Sequence, residues 1–170
     1  MLRIEVTYLC DELPGDLKKC KSENIEQGYL CDEDDPVRIR NKGGLYSFTR
    51  KTMANPDDLS FRDYSSIDVY KEEFDKVWKI VTKKLKKTRY YYSEEMDGPD
   101  IRVDVFEGEL KGLILIELVF TNEGDLRIYE VPKWFGPEVT KDRSLTNPAV
   151  AGKTFSEIKP ILEKHSKVEE

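Results

Sequence analysis
The chain opens on strict alternation. Leu2, Ile4, Val6 and Tyr8 fall on one side of an extended segment, and Arg3, Glu5 and Thr7 fall on the other. That two-residue period is the mark of a half-buried strand. It returns in Val37-Arg38-Ile39-Arg40, before the turn Asn41-Lys42-Gly43-Gly44, and in 45–51, where Ser47, Thr49 and Lys51 share a side. Residues 27–30 and 87–92 are strand-like, and 60–68 is a weaker strand. The clearest pattern lies in 101–120. Two apolar, β-branched runs flank Glu107-Gly108-Glu109-Leu110-Lys111-Gly112, which predicts a hairpin with glycine in its turn. Ile101, Val103 and Val105 face one way; Arg102, Asp104 and Phe106 face the other. Glu117 interrupts the second run on the side of Leu115 and Val119. A carboxylate there is expensive to bury unless a cation or a metal meets it.

From about Asp68 the period lengthens. Phe74, Val77, Trp78, Val81 and Leu85 recur at helical spacing, so 69–86 is expected to be an amphipathic helix packed outside the strands. Lys83, Lys84, Lys86 and Lys87 crowd its end, which suits the helix dipole. The segment 126–131, the turn-rich 132–137 and Glu138-Val139-Thr140 follow the hairpin. A short helical piece near 148–151 and a helix over 156–164 close the pattern, with a frayed tail beyond. Pro160 is tolerated there if the helix begins near Ser156.

Composition narrows the class. A chain of 170 residues with 38% hydrophobic content is expected to form one domain with a real core. The net charge of −6 argues against a DNA or membrane-surface binder but is silent about a local pocket. Cys10, Cys20 and Cys31 show no CxxC spacing, and the single His165 lies in a polar tail. That argues against a zinc site and fits reduced thiols in a cytoplasm. No signal-like segment and no apolar run of spanning length is seen, so a soluble cytoplasmic protein is expected.

Several strands carry charges on the face opposite their apolar one, and most are basic: Arg3, Arg38, Arg40, Lys51, Lys87 and Arg89. In a one-sided antiparallel sheet that face is simply the wet one. If the sheet instead closes into a barrel, the polar faces line its interior, which at about eight strands holds one small ligand. Guanidinium groups match phosphate oxygens bidentately, and lysine adds a mobile point charge. Such a bore is an anion site of the kind a polyphosphate needs.

These segments together resemble the CYTH family, the triphosphate tunnel enzymes that include inorganic and thiamine triphosphatases and class IV adenylate cyclases. The resemblance is carried by IEQGYL (25–30), VRIR (37–40), FTRK (48–51), KTR (87–89), VDVFEGELKGL (103–113) and WFGPEVT (134–140), with Asn147 beyond. They follow the family's order over nearly the whole chain. The resemblance implies an α+β fold: a closed antiparallel eight-stranded β-barrel with helices packed outside, spanning 1–153, followed by a C-terminal helix and tail of the same domain in 154–170. It implies Arg38, Arg40, Lys51, Lys87 and Arg89 as phosphate-binding cations; Arg3, which stands where the family has an acid, is added to them, and Asp104 matches a family aspartate that either orients a tunnel cation or only neutralises the interior.

The acids depart from the family's pattern. Its opening ExExK strand is represented by Arg3, Glu5 and Thr7, and its second ExE by Glu117 and Val119. A further acidic pair corresponds to Asp63 and Ser65. In such a tunnel the acids hold Mg²⁺ or Mn²⁺, which polarises the phosphoryl group. An arginine in place of a carboxylate costs on the order of several kcal/mol of metal affinity at close range. The first expectation is therefore a tunnel that binds a small polyphosphate or nucleotide, with metal binding weakened and catalysis lost or reduced. The alternative is a working metal-dependent triphosphatase in which Glu5 and Glu117, with Asp63, hold the ion. Mg²⁺ commonly needs only one or two protein carboxylates when phosphates and water complete its shell. A cyclase-like enzyme and a protein-interaction module are further alternatives. Tyr29, Tyr90, Tyr91, Tyr92 and Phe106 are weighed as base-stacking groups against barrel packing, and Arg143 as a replacement for a family arginine. Glu138 is read as structural and Trp78 as helix-to-barrel packing. The acidic run 32–35 is read as a solvated loop.

Overall fold
The computed structural model describes residues 3–33, 35–55, 57–58, 60–92 and 98–166; Leu2, Asp34 and the tail expected to fray beyond Ser166 lie outside them. Eight strands form: β1 (Arg3–Leu9), β2 (Lys21–Tyr29), β3 (Val37–Lys42), β4 (Leu45–Met53), β5 (Phe61–Asp68), β6 (Lys83–Tyr92), β7 (Asp100–Phe106) and β8 (Ile114–Phe120). They close in the order β1-β5-β4-β3-β2-β6-β7-β8, with β8 antiparallel to β1 and every other neighbouring pair antiparallel as well. The expected barrel is therefore present, and the one-sided sheet is not. The helices are α1 (Lys71–Trp78), α2 (Glu123–Ile128), α3 (Asn147–Val150) and α4 (Phe155–Ser166).

Closure settles which face is wet. Ile4, Val6, Ile101, Val103, Ile116 and Leu118 are buried on the outside, beneath Trp134 and Phe135. Ile39 and Val81 pack outside with Phe74 of α1. The polar alternates point into the bore. At one end the bore itself turns apolar, where Leu9, Tyr29, Leu85, Phe106 and Leu115 cluster with Val150 of α3 and Ile158 of α4. The C-terminal segments thus cover that end and leave the middle of the bore polar.

Three expectations need correction. The helix placed over 69–86 ends at Trp78, and Lys83 already begins β6. Val81 and Leu85 continue the helical spacing, yet Val81 precedes β6 and packs outside with Phe74 while Leu85 enters the bore. Pairing of β6 with β2 from Lys83 to Tyr91 decides for a strand. Second, β2 starts at Lys21 rather than near Gln27. Its first half has no apolar face, because bore-facing Glu23 is held instead by Lys42 at 3.0 Å and by Tyr91 Oη at 2.5 Å. Third, 126–131 is not a unit of its own: 126–128 lie in α2, which is capped by Asn122, whose side chain accepts from Asp125 N at 2.9 Å.

The predicted hairpin joins β7 to β8 through a short 3₁₀ turn, with Gly108 at φ 61° and Gly112 at φ 113°. The helix expected near 148–151 is α3, and the C-terminal helix begins at Phe155, one residue before Ser156. Trp78 stacks on Phe74 with centroids 5.2 Å apart and packs against β2, as expected. The contact point is Gly28: a Cβ built there would stand 2.7 Å from Val81 Cγ1 and 3.1 Å from the Lys83 carbonyl. Gly28→Ala is therefore expected to destabilise by about 1–3 kcal/mol through overpacking, although alanine suits a strand at least as well. Urea unfolding checks this; an unchanged midpoint means that α1 sits on β2 more loosely than described.

Candidate active site
The strand registers bring most of the predicted charges into one bore. Arg38 pairs across β3–β4 with Thr49, and Arg40 with Ser47, so small neighbours leave room beside both guanidiniums. A cavity of ≈ 150 Å³ opens beside Arg38, lined among others by Glu5, Lys51, Arg62, Glu117 and Asn147. The predicted cations divide into groups with different neighbours.

Lys87 and Arg89 are held from within. Asp104 accepts from Arg89 Nε at 2.7 Å and Nη2 at 2.8 Å, and from Lys87 Nζ at 2.6 Å. Burial alone would raise the Asp104 carboxyl, but Arg89 and Lys87 overcome it and hold it well below the ordinary carboxylate range. Burial pushes Lys87 down to about 8 despite Asp104, with Arg89 adding to the shift. Arg89 also donates to Glu117 at 3.1 Å. Burial opposes the charge of Glu117, yet Arg89, Lys51 and Arg102 keep it down to about 2. Asp104 thus pairs with both buried cations at once.

Arg38 and Arg40 are different. Each has a buried Nε without a hydrogen-bond partner, and neither meets a carboxylate among the described residues. Burial first, then Arg38 and Arg89, push the Arg40 guanidinium down to about 10. Two half-buried cations side by side repel one another and are relieved by an anion placed between them.

Glu5 is buried, accepting from Lys51 Nζ at one oxygen and from the Tyr64 hydroxyl at the other. Arg3 stacks on the Tyr64 ring, 5.3 Å from its centroid, and lines a second opening of the barrel with Asp100, Arg102 and Val119. It does not line the main cavity with Arg38 and Lys51.

Asp63 requires correction as a metal ligand. It pairs with Thr52 on the outer, exposed face of β5, while Arg62 and Tyr64 point into the bore. Ser65 shares the outer face by the same alternation. Phe61 and Ile67 carried the signal: both lie in phase with Asp63, and an apolar alternate marks the outer face of this barrel. The same phase error hid Arg62 and Tyr64. Gln27 and the role of Asn147 had no signal in the sequence beyond their place in the motifs.

Other candidates resolve as packing. Tyr92 meets Trp134 edge-on, and Tyr91 is held by Glu23 beneath Lys21 and Lys42. Phe106 lies in the apolar end of the bore. Glu138 bridges Tyr8 in an extension of β1, which fits a structural role. Arg143 lines the rim of the cavity with Arg62 and Lys83. In the acidic run, Asp32 pairs with Lys83 at 2.9 Å.

No family model matches this chain. The inorganic triphosphatase of Nitrosomonas europaea is 34% identical over 156 residues, covering 89% of this chain and 97% of that protein. This chain belongs to the CYTH family. Another CYTH relative, the inorganic triphosphatase of Acetivibrio thermocellus, is 26% identical over 85% of this chain and 92% of its own length. A crystal structure of an inorganic triphosphatase superimposes with a TM-score of 0.65 at 28% identity, covering 89% of this chain and 95% of that one. Among the described residues no helix is long and apolar enough to cross a membrane.

Asp104 offers a test of this CYTH bore. Asp104→Asn leaves Lys87 and Arg89 without their shared counter-charge, and a loss of about 3–5 kcal/mol at pH 7 is expected. A carboxyl depressed in the folded state contributes stability above its unfolded pKa of about 3.9 and loses it as pH falls toward the folded value. The gap between wild type and variant should therefore shrink below about pH 4. Urea titrations across that range check both; near-equal stability at pH 7 removes Asp104 from its central place.

Proposed function
We propose that the protein is a metal-dependent triphosphatase that takes inorganic triphosphate lengthwise into the bore and hydrolyses a phosphoanhydride bond. The observation that carries this reading is the pair of half-buried guanidiniums, Arg38 and Arg40, whose buried Nε atoms have no partner, in the same bore as Glu5 and Glu117. The expectation of binding with lost or weakened turnover gives way here. The relatives that span nearly the whole chain are named as triphosphatases, which favours the active alternative.

The donor set fits a hard dication. Among the described residues no group of three or more acidic, histidine or cysteine side chains is placed to enclose one. Glu5 and Glu117, both lining the cavity, match the one or two carboxylates that Mg²⁺ commonly takes when phosphate oxygens and water complete its shell. When bound, Mg²⁺ or Mn²⁺ supplies Lewis-acid polarisation of the phosphoryl group and orders the attacking water.

The chain's own residues do the rest. Arg38 and Arg40 bind phosphate oxygens with the fork geometry that suits them. Arg62 adds a cation at the wall shared by the cavity and its rim. Lys51 holds Glu5 in place, and Arg89 holds Glu117 in place and ionised. Lys87 spends two of its three donors on Asp104 and on Asn147 at 2.8 Å, leaving one for an anion. Tyr29 is the one aromatic residue of the cavity lining and is itself buried. The described walls thus offer no platform for a base, which favours an inorganic polyphosphate over a nucleotide.

Phosphate release from triphosphate, pyrophosphate and ATP, with Mg²⁺, Mn²⁺ or EDTA, tests the reading. Fast release is expected from triphosphate, and loss of it in EDTA and in Glu117→Ala. Arg40→Ala should raise KM about 10- to 100-fold, the worth of hydrogen bonds to a charged partner. Tight binding of triphosphate in EDTA with no release in any metal would instead establish a binding protein.

Lys87 gives a pH signature. An anion favours its protonated form, so affinity is full below its pKa of about 8 in the free protein and falls as pH rises beyond it. Calorimetric titration of triphosphate in EDTA between pH 7 and 9.5 should show this fall in wild type and a flatter profile in Lys87→Arg. Parallel profiles would exclude Lys87 from the site.

A further inference from the structure
We propose that Asn147 contacts the substrate's phosphate directly, with its amide N–H₂ group turned into the bore and locked there by Gln27 and Lys87. This rests on the triphosphatase reading and assigns one more ligand to it.

The orientation follows from donor counting. Asn147 Oδ1 accepts from Lys87 Nζ at 2.8 Å and from Gln27 Nε2 at 3.2 Å. An ammonium has no acceptor, so a flipped Asn147 amide would set donors against donors. Gln27 is fixed in turn: it is 2% exposed, and its amide also donates to Tyr29 Oη at 2.9 Å. Both acceptor sites of Asn147 Oδ1 are therefore taken from behind. Its Nδ2 makes no hydrogen bond to the described protein, is not a sealed-off buried atom, and belongs to a side chain that lines the cavity beside Glu5, Arg38 and Glu117.

The backbone there is equally constrained. Asn147 opens α3 ahead of Pro148, and the turn is closed by Val150 N to the Thr146 carbonyl and Ala151 N to the Asn147 carbonyl, each at 3.0 Å. Lys87 polarises the carbonyl of the same amide, and hydrogen bonds in such a chain strengthen one another. An uncharged two-proton donor, pre-oriented at no further cost in rotamer freedom, is suited to bridging phosphate oxygens without repelling Lys87 or the nearby arginines.

Two variants and a cycle test the proposal in the full chain. Asn147→Asp keeps the shape and both accepting contacts while replacing the donor by a carboxylate oxygen. Its urea midpoint should stay at or above that of wild type. Its Kd for inorganic triphosphate in EDTA should rise at least about tenfold, with KM rising in the Mg²⁺ assay. Asn147→Ala removes the donor without adding charge and should raise Kd about tenfold. Gln27→Leu leaves Asn147 in place but unlocks it. Combined with Asn147→Ala it should add little further loss, because the two act through one contact. Unchanged Kd and KM in both Asn147 variants, with wild type hydrolysing triphosphate, would overturn this assignment alone. Full additivity with Gln27→Leu would overturn the locking. A wild type that neither binds nor cleaves triphosphate would remove the proposed function and this residue's role with it.

Discussion
Everything in the bore depends on how a closed barrel treats charges that face inward. Water is scarce there, so each charge needs a counter-charge or a ligand. Asp104 meets that need for Lys87 and Arg89 together, and Glu117 takes the remaining side of Arg89. These residues sit on β6, β7 and β8, neighbours in the sheet, so the network also stitches one wall of the barrel. On the other wall, β3 carries Arg38 and Arg40 with no such arrangement. The division between a neutralised wall and a cationic one gives the cavity its polarity, with Arg38 on the β3 side and Glu5 and Glu117 also in its lining.

Much of this was legible in the sequence because closure follows from alternation. Ile4 and Val6 against Glu5, or Val37 and Ile39 against Arg38 and Arg40, leave few ways to place the strands once the apolar side is covered. Where the alternation was ambiguous, the reading slipped. Leu85 suited a helix as well as a strand, and only pairing with β2 decided it. Asp63, matched to the family's acidic pair, shares the phase of Phe61 and Ile67 and therefore faces outward. Asn147 shows a second limit. Its place in the motif was visible, but the direction of its amide depends on Lys87 and Gln27, residues distant in sequence whose contact exists only in the fold.

The departures from the family's acids also read differently in three dimensions. Arg3 lies over the Tyr64 ring and lines the second opening, so its charge is not presented to the cavity with Arg38 and Lys51. Thr7 stands where the family has a lysine, yet Arg62 enters the same cavity from β5. One cation is lost from the wall and another gained, so the anion-binding character of the site survives the substitution even though its motif does not.

The two remaining acids are held in a state ready for use. Glu117 stays ionised far below neutral pH because Arg89, Lys51 and Arg102 outweigh the cost of burial. A carboxylate that is already ionised has no proton to release on taking up a cation. What it yields instead is part of its contact with Arg89, whose guanidinium keeps two bonds to Asp104 and is not left bare. Glu5 is held between Lys51 and Tyr64. The ion pairs that occupy the acids therefore do not argue against catalysis: they supply the cations that an incoming triphosphate would meet as the acids change partners.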